Sequence, residues 1–322
     1  MRAVYAASQS LADPLQGLTI AEVPDPEPRP GWVTVRLRAA ALNHHDLWSL
    51  KGVGLPAERL PMILGCDGAG VSEDGSEVLV HAVISSPDWV GDETLDPRRS
   101  LLSEVYPGTL AEAVSVPARN LIPKPAELSW EQAACLPTAW LTAYRMLFTN
   151  AGVAPGATVL VQGAGGGVAT ALVQLGAATG LRMWVTSRDP EKGERAVALG
   201  AERAFGTGDR LPDRVDAVME TVGAATWSHS INALRPGGTI VISGATSGDA
   251  PAKAELTKIF FKQLRVVGST MGTRDELALL ARLVVSAGID PLIDSVMPLA
   301  QAREGFARMA AGEVNGKIVF TV

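Results

Sequence analysis

A run of glycines between two apolar stretches is the segment best suited to hold an anionic ligand. Residues 159–180 read VLVQGAGGGVATALVQLGAATG, with Val168, Leu172 and Leu175 at helical spacing after the glycines. Glycine lets the backbone approach a phosphate, and the N-terminus of the following helix offers free N–H groups to that anion. This strand, turn and helix predict a dinucleotide-binding turn, against the alternative of a glycine-rich turn that binds nothing. The residues predicted to line it are Gly163, Ala164, Gly165, Gly166, Gly167 and Val168.

The end of the next predicted strand indicates which dinucleotide is bound. A site for NAD carries a carboxylate there for the adenine ribose hydroxyls. This chain instead has Thr186, Ser187 and Arg188, with Asp189 only after the strand end and Lys192 following. A hydroxyl and two cations suit the 2′-phosphate of NADP(H), which a carboxylate would repel. Ser187, Arg188 and Lys192 are therefore predicted to bind NADP(H); the alternative is that the two cations are solvated residues at a helix start.

The segment ALNHHDLWSLKG at residues 41–52 holds the candidate catalytic side chains, Asn43 and His45. The Asn43 amide can donate a hydrogen bond to a substrate carbonyl or to the cofactor ribose, although Asn is also a common turn residue. His45 titrates near neutral pH and could donate a proton, although a lone histidine is more often simply hydrogen-bonded in place. Asp46 is expected to accept hydrogen bonds that hold this tight segment.

The elements that must position these residues change character near residue 128. Before it, short strands alternate with turns, and four prolines between residues 24 and 30 exclude a central strand there. After it, Ser129 is typical of a helix cap, and strands and helices alternate from residue 158 to residue 269. This alternation predicts an α/β fold with a parallel sheet covered by helices on both faces.

Composition limits the partners and the compartment. The 322 residues include 28 Lys and Arg and 34 Asp and Glu, a net charge of −6, which argues against a nucleic-acid or anionic-membrane partner. Only Cys66 and Cys135 are present, which excludes a disulfide framework and an all-cysteine zinc site. No segment has the about 20 apolar residues of a membrane span, and the N-terminus lacks the apolar core of a signal peptide. We expect a soluble, cytoplasmic protein whose partner is a small-molecule substrate.

Several segments together resemble the medium-chain dehydrogenase/reductase superfamily, and within it the zinc-free quinone oxidoreductase-like branch. The segments are ALNHHDLWSLKG at 41–52, LGCDGAG at 64–70, AACLPTAWLTAY at 133–144, the glycine turn, RPGGTIVISG at 235–244 and GKIVF at 316–320. The resemblance spans the chain. It implies an α/β fold in which a Rossmann doubly wound parallel sheet is inserted in a GroES-like, mostly β barrel catalytic domain. The implied domains are 1–127 with 272–322 for the catalytic domain, and 128–271 for the Rossmann domain.

The resemblance also implies that no metal is bound. Asn43, Cys66–Asp67 and Thr138 stand where zinc-dependent members carry Cys, His-Glu and Cys. A catalytic zinc takes three protein ligands from Cys, His or carboxylate side chains. Residues 84–107 contain no cysteine for a structural zinc lobe.

The activity implied by this branch is hydride transfer from NADPH to a quinone or an activated alkene such as an enone or enoyl compound. Two alternatives stay open: a zinc-dependent alcohol dehydrogenase with unusual ligands, and a non-enzymatic NADPH-binding redox sensor. A homodimer is expected through residues 239–244 and 259–272, whose apolar side chains could instead fill the core of one subunit. The further residues implied to contact the cofactor are Asn43, Thr138, Thr221, Val222, Ser243, Gly244, Ala245, Ser269, Met271 and Lys317.

Overall fold

The chain, described from Met1 to Val322 by a computed structural model, divides into two compact units. Unit 1 comprises Met1–Leu141 and Met271–Val322, and unit 2 comprises the intervening Thr142–Thr270. None of the helices has the length and apolar character that a bilayer crossing requires.

The first segment of unit 1 is built from short strands. They are β1 (Arg2–Ala6), β2 (Leu18–Glu22), β3 (Trp32–Ala41), β4 (Met62–Ile63), β5 (Asp67–Ser72), β6 (Glu77–Val80), β7 (Val83–Ile84), β8 (Ser100–Leu101), β9 (Ala113–Pro117) and β10 (Leu121–Pro123), with helices α1 (His44–Leu50) and α2 (Trp130–Ala134). In β3 the side chains of Val35 and Leu37 are buried and those of Arg36 and Arg38 are exposed. This period of two is that of a strand with one face on a core.

Unit 2 contains a parallel six-stranded sheet. Its elements are α3 (Leu141–Tyr144, which starts on the last residue of unit 1), β11 (Thr158–Gln162), α4 (Gly167–Ala178), β12 (Arg182–Ser187), α5 (Pro190–Ala198), β13 (Arg203–Gly206), β14 (Val215–Glu220), α6 (Trp227–Ala233), β15 (Leu234–Ile242), α7 (Leu256–Phe261) and β16 (Arg265–Gly268). The strand order is β13-β12-β11-β14-β15-β16, with every neighbouring pair parallel. This is the 3-2-1-4-5-6 order of the Rossmann sheet, whose ligands bind where the order reverses, between the first and fourth strands.

The chain then returns to unit 1 and completes its main sheet. The returning elements are α8 (Arg274–Ser286), β17 (Ile293–Pro298), α9 (Ala302–Ala311) and β18 (Lys317–Thr321). Strand β18 pairs with β3 and β17 in a sheet ordered β10-β6-β5-β3-β18-β17, in which β9 also pairs with β3. Phe306 of α9 and Phe320 of β18 share a core with Val4 of β1 and Leu50 of α1. The predicted α/β fold class, a parallel Rossmann sheet inserted in a mostly β unit, is confirmed.

The first boundary between the units differs from the residue 127/128 boundary expected from the sequence. Helix α2 packs against β3 and β5, and its Ala133 and Ala134 side chains are buried. Residues 128–141 therefore belong with unit 1, because their apolar face is covered by its sheet. The second boundary, between Thr270 and Met271, lies one residue before the expected one.

Candidate active site

The glycine turn of unit 2 leaves open space above the start of α4. Gly163, directly after β11, has a φ of +96°, in the left-handed region that favours glycine. Gly166 is the N-cap of α4, and an added Cβ there would meet no surrounding atom within 4 Å. The first N–H groups of an α-helix have no partner within the helix. The predicted turn, residues 163–168, therefore forms a cradle that fits the pyrophosphate of a dinucleotide.

The carboxylate nearest the end of β12 is directed to its own helix. Asp189 Oδ1 accepts a hydrogen bond from the Glu191 backbone N–H at 2.9 Å, at the start of α5. Ser187 Oγ donates to the Asp189 backbone oxygen at 2.7 Å. Arg188 is exposed and makes no hydrogen bond or ion pair in the structure, and Lys192 lies in the first turn of α5. Two cations and a hydroxyl at this strand end suit a 2′-phosphate.

The other cofactor residues implied by the resemblance are divided between the units. Those in unit 2 follow the carboxyl ends of β14, β15 and β16, which a parallel sheet brings to one edge with the glycine turn. They are Thr221 and Val222 after β14, Ser243, Gly244 and Ala245 after β15, and Ser269 after β16. Those in unit 1 are Asn43, Thr138, Met271 and Lys317.

Asn43 and Lys317 meet in a buried polar network of unit 1. Lys317 Nζ donates to Asp67 Oδ2 at 2.8 Å, to Asn43 Oδ1 at 2.7 Å and to the Leu42 backbone oxygen at 2.8 Å. Asn43 Nδ2 donates to Asp67 Oδ2 at 2.9 Å. Both polar ends of the Asn43 amide are thus occupied inside unit 1, rather than presented to a substrate carbonyl.

Asp46 holds the segment on which Asn43 lies, as the sequence predicted. Its carboxylate accepts the Asn43 backbone N–H at 2.9 Å and the Gly65 backbone N–H at 2.8 Å. Burial raises the pKa of Asp46 to about 7, against the opposing effect of these two hydrogen bonds and of Lys317. The carboxylate therefore joins α1 to the segment that leads into β5.

The side chains at the positions of the family's zinc ligands do not form a three-ligand set. Only Cys66 and Asp67 could serve, and no three His, Cys, Asp or Glu side chains converge anywhere in the structure. Burial raises the pKa of the Cys66 thiol, which donates to the Leu102 backbone oxygen at 3.2 Å, and Asp67 is paired with Lys317. Thr138 Oγ1 and Asp67 Oδ1 are buried without a hydrogen-bond partner. A protonated thiol, a hydroxyl and a carboxylate beside an ammonium are a poor fit for zinc.

His45 is the side chain of α1 best suited to transfer a proton. Its Nε2 lies 3.2 Å from Ser103 Oγ, which also lies 3.7 Å from Cys66 Sγ. Burial lowers the pKa of His45, and the Glu104 carboxylate acts in the opposite direction. The His45 residue as a whole is half-buried.

Ser103 is a site residue that the sequence did not reveal. It is fully buried and has a φ of +69°, a conformation uncommon for residues other than glycine. Strained backbone of this kind concentrates at functional sites. No local motif marks Ser103, because its contact with His45 joins residues 58 positions apart.

Comparisons with known proteins give two family matches and relatives that span the chain. Residues 29–126 match the alcohol dehydrogenase GroES-like domain family, and residues 167–286 match the zinc-binding dehydrogenase family. An acryloyl-coenzyme A reductase of Sulfurisphaera tokodaii is 29% identical over 95% of this chain and 97% of its own. The crystal structure of an NAD-dependent alcohol dehydrogenase is 36% identical, with a TM-score of 0.90 and full coverage of both chains. The structure of a 2-octenoyl-CoA carboxylase reductase in complex with NADP and 2-octenoyl-CoA is 26% identical, with a TM-score of 0.90, covering 99% of this chain and 87% of that one.

Proposed function

The chain belongs to the medium-chain dehydrogenase/reductase superfamily of NAD(P)-dependent oxidoreductases, and we propose that it reduces an activated carbon–carbon double bond or a quinone with NADPH, without a metal ion. Within the superfamily, this proposal assigns the chain to the zinc-free, quinone oxidoreductase-like branch. NADPH rather than NADH is favoured by Ser187, Arg188 and Lys192, together with the direction of the Asp189 carboxylate.

The observation that carries the proposal is the ion pair of Lys317 and Asp67, 2.8 Å apart, among the positions of the family's zinc ligands. Lys317 Nζ donates to Asp67, Asn43 and the Leu42 backbone oxygen, so it has no N–H bond left to stabilise an oxyanion of the substrate, and it occupies the Asp67 carboxylate that a metal ion would need. Reduction of a simple ketone needs strong stabilisation of an alkoxide. An enone, an enoyl thioester or a quinone spreads the incoming charge over its own conjugated system, so it needs less help.

The proposed reaction is a hydride transfer followed by a proton transfer. When bound, NADPH supplies the hydride. That hydride, with its electron pair, would add to the β-carbon and break the carbon–carbon π bond. The charge would move to the conjugated carbonyl, and a proton would then add to the α-carbon. His45 of unit 1 is the proposed proton donor, because the residue is only half-buried and its lowered pKa makes the imidazolium a stronger acid.

The residues proposed to bind the pyrophosphate and the 2′-phosphate of the cofactor lie in unit 2. The turn 163–168 and the N-terminus of α4 would hold the pyrophosphate, and Ser187 with Arg188 would hold the 2′-phosphate. Asn43 and Lys317 remain inside unit 1, where they support the segment that carries His45. We therefore propose Asn43 as a positioning residue and His45 as the catalytic one.

Two relatives make an enoyl thioester the first acceptor to test. One is named a reductase of acryloyl-coenzyme A, and the other was solved with 2-octenoyl-CoA. In both compounds the double bond is conjugated to a thioester carbonyl. This chemistry is the activated-alkene case of the proposal.

A second candidate is alcohol oxidation with NAD, supported by the 36% identity to an NAD-dependent alcohol dehydrogenase. It requires a metal or another strong acid at the reacting oxygen. A third is tight NADPH binding without turnover, as in a redox sensor.

The discriminating experiment is a substrate panel run before and after exhaustive chelation. The proposal predicts oxidation of NADPH by enoyl thioesters, enones or quinones, with rates that chelation leaves unchanged. Activity confined to alcohols, lost on chelation and restored by zinc, would support the second candidate. NADPH binding with no turnover on any acceptor would support the third.

A further inference from the structure

A buried carboxylate at the end of β14 has no role in the proposed chemistry. Glu220 is fully buried and has no cationic partner. Its Oε1 accepts the backbone N–H groups of Val222 at 2.8 Å and Gly223 at 2.9 Å. Both oxygens accept from the Thr226 hydroxyl, and Oε2 accepts from the Ser230 hydroxyl. Every partner is a donor, as an ionised carboxylate requires.

Gln162, at the end of β11, connects this carboxylate to β11 and β12. Its Nε2 donates to Ser230 Oγ and to His229 Nδ1, each at 2.9 Å. Its Oε1 accepts from Thr186 Oγ1 at 2.7 Å, and the Gly163 backbone N–H donates to the same hydroxyl at 3.3 Å. The carboxyl ends of β12, β11 and β14 are thus joined by side-chain hydrogen bonds.

The donors and acceptors of this network have one consistent arrangement. The Gln162 amide nitrogen can only donate, so His229 Nδ1 accepts and its Nε2 donates to the Asp209 backbone oxygen at 2.9 Å. The hydroxyls of Ser230 and Thr186 each receive one hydrogen bond and pass one on. Chains of this kind strengthen each of their members. The Gln162 circuit consists of Thr186, Gln162, His229, Ser230 and Glu220.

We propose that the Gln162 circuit positions the dinucleotide-binding edge of unit 2, and that Gln162 and Thr186 set cofactor affinity without touching the cofactor. Both side chains are at most 1% exposed, so neither can contact a ligand. The circuit spans β11 and β14, where the strand order reverses and Rossmann sheets bind dinucleotides.

Its ends meet three loops at this edge. Thr186 precedes the Ser187–Arg188 turn, Gly163 opens the glycine turn, and Glu220 holds the N–H groups of Val222 and Gly223. Loosening the circuit therefore lets all three loops move, and ordering them again on binding costs affinity.

The inference rests on the proposed function only in that the protein must bind a dinucleotide, and its test needs no substrate. Thr186→Val removes the hydroxyl at nearly constant volume, and Thr186→Ser retains it. We expect Thr186→Val to weaken NADPH and NADH binding by the same factor, roughly fivefold, and Gln162→Leu to weaken both on the order of tenfold. Thr186→Ser should bind like the wild type. Gln174→Leu makes the same chemical change on α4 outside the circuit, and should leave both dissociation constants unchanged.

Titration calorimetry with each cofactor measures these constants, and thermal melting of each variant confirms that it is folded. Unchanged affinity in folded Thr186→Val and Gln162→Leu overturns the proposal. So does equal loss in Thr186→Ser and Thr186→Val, or loss for NADPH alone. If Gln162→Leu does not fold, the Thr186 pair decides. A wild-type protein that binds neither cofactor overturns the proposed function and the circuit with it, whereas failure of the substrate panel leaves the circuit standing.

Discussion

The Lys317 side chain is 2% exposed, and its ammonium group donates to three oxygens of unit 1. Removing one partner of a buried ion pair costs about 3–5 kcal/mol, because the remaining charge is left uncompensated. Lys317 and Asp67 therefore stay paired, and the Asn43 amide between them stays engaged. Asp46, in the same segment, is fully buried and bonded to two backbone N–H groups, so we propose the half-buried His45 as the proton donor.

Substitution of Arg188 tests whether the protein prefers NADPH to NADH through this side chain. Arg188→Ala should weaken NADPH binding roughly tenfold and leave NADH binding nearly unchanged, because a charge-assisted contact at an exposed site is lost only for the 2′-phosphate. Titration of each cofactor measures this difference. Arg195→Ala, the same change later in α5, is the control and should alter neither constant. Equal weakening of both cofactors by Arg188→Ala would show that Arg188 does not bind the phosphate.

Substitution of His45 tests whether this side chain is the proton donor. Its pKa is lowered below 6.5 by burial, so its protonated fraction grows as the pH falls through that lowered pKa and shrinks above it. The kcat of the wild type should therefore rise toward acidic pH. His45→Gln should reduce kcat on the order of 100-fold at acidic pH and flatten the profile. His44→Gln, at the exposed neighbour, is the control. A His45→Gln profile that keeps the wild-type slope would assign the proton to solvent.

Among the helices and strands, structure that depends on neighbouring residues could be predicted from the sequence, whereas contacts between distant residues could not. The run from β11 through the glycine turn to α4 could be predicted, because the strand, the glycines and the helix periodicity are neighbours in sequence. The partner of His45 could not, since Ser103 lies 58 residues away on an irregular turn. Gln162 likewise sits at the end of an apolar strand, where nothing local indicates three side-chain partners. The π-helical turns on either side of α3, Leu136–Trp140 and Arg145–Ala151, also have no simple sequence signal.

His81 tests how the two segments of unit 1 are joined. Its Nε2 lies 2.9 Å from the backbone oxygen of Gly272, where the chain re-enters the unit. Burial lowers the pKa of His81 to about 4 from the ordinary 6.5. Between these values the unfolded chain binds a proton that the folded chain does not, so stability falls as the pH drops from 6.5 to 4.

His81→Gln keeps a donor for Gly272 but does not titrate. We expect the wild type to lose about 3 kcal/mol more than this variant between pH 7 and pH 4, from the difference between the two pKa values. Urea unfolding at a series of pH values measures both. Parallel stability curves for the two proteins would contradict a buried neutral His81.

At the scale of the whole molecule, unit 2 has an open sheet edge beside exposed apolar side chains. Strand β16 pairs only with β15, and Phe260, Phe261 and Val266 are 63%, 76% and 44% exposed. Ile259 and Leu264, within the segment expected at an interface, are half-buried and pack against the core of unit 2. Open edges and apolar patches of this kind favour pairing with a second copy across a two-fold axis.

We therefore propose a homodimer, and expect sedimentation at micromolar concentration to give the mass of two chains. Phe261→Glu places a charge on this face and should yield single chains that remain folded. Leu11→Glu, at an exposed leucine of unit 1, should remain dimeric. A wild-type protein that sediments as one chain would refute the proposal.

Transfer of an isotope label from the cofactor to the substrate tests metal-free hydride transfer to an activated double bond. Chelated protein, checked for zinc content, would be supplied with NADPH deuterated at the transferring position and with crotonyl-coenzyme A. We predict a saturated thioester that carries one deuterium at the β-carbon, formed at the same rate before and after chelation. A product without deuterium at that carbon would rule out hydride transfer to the double bond, and turnover that returns only when zinc is added would rule out a metal-free reaction.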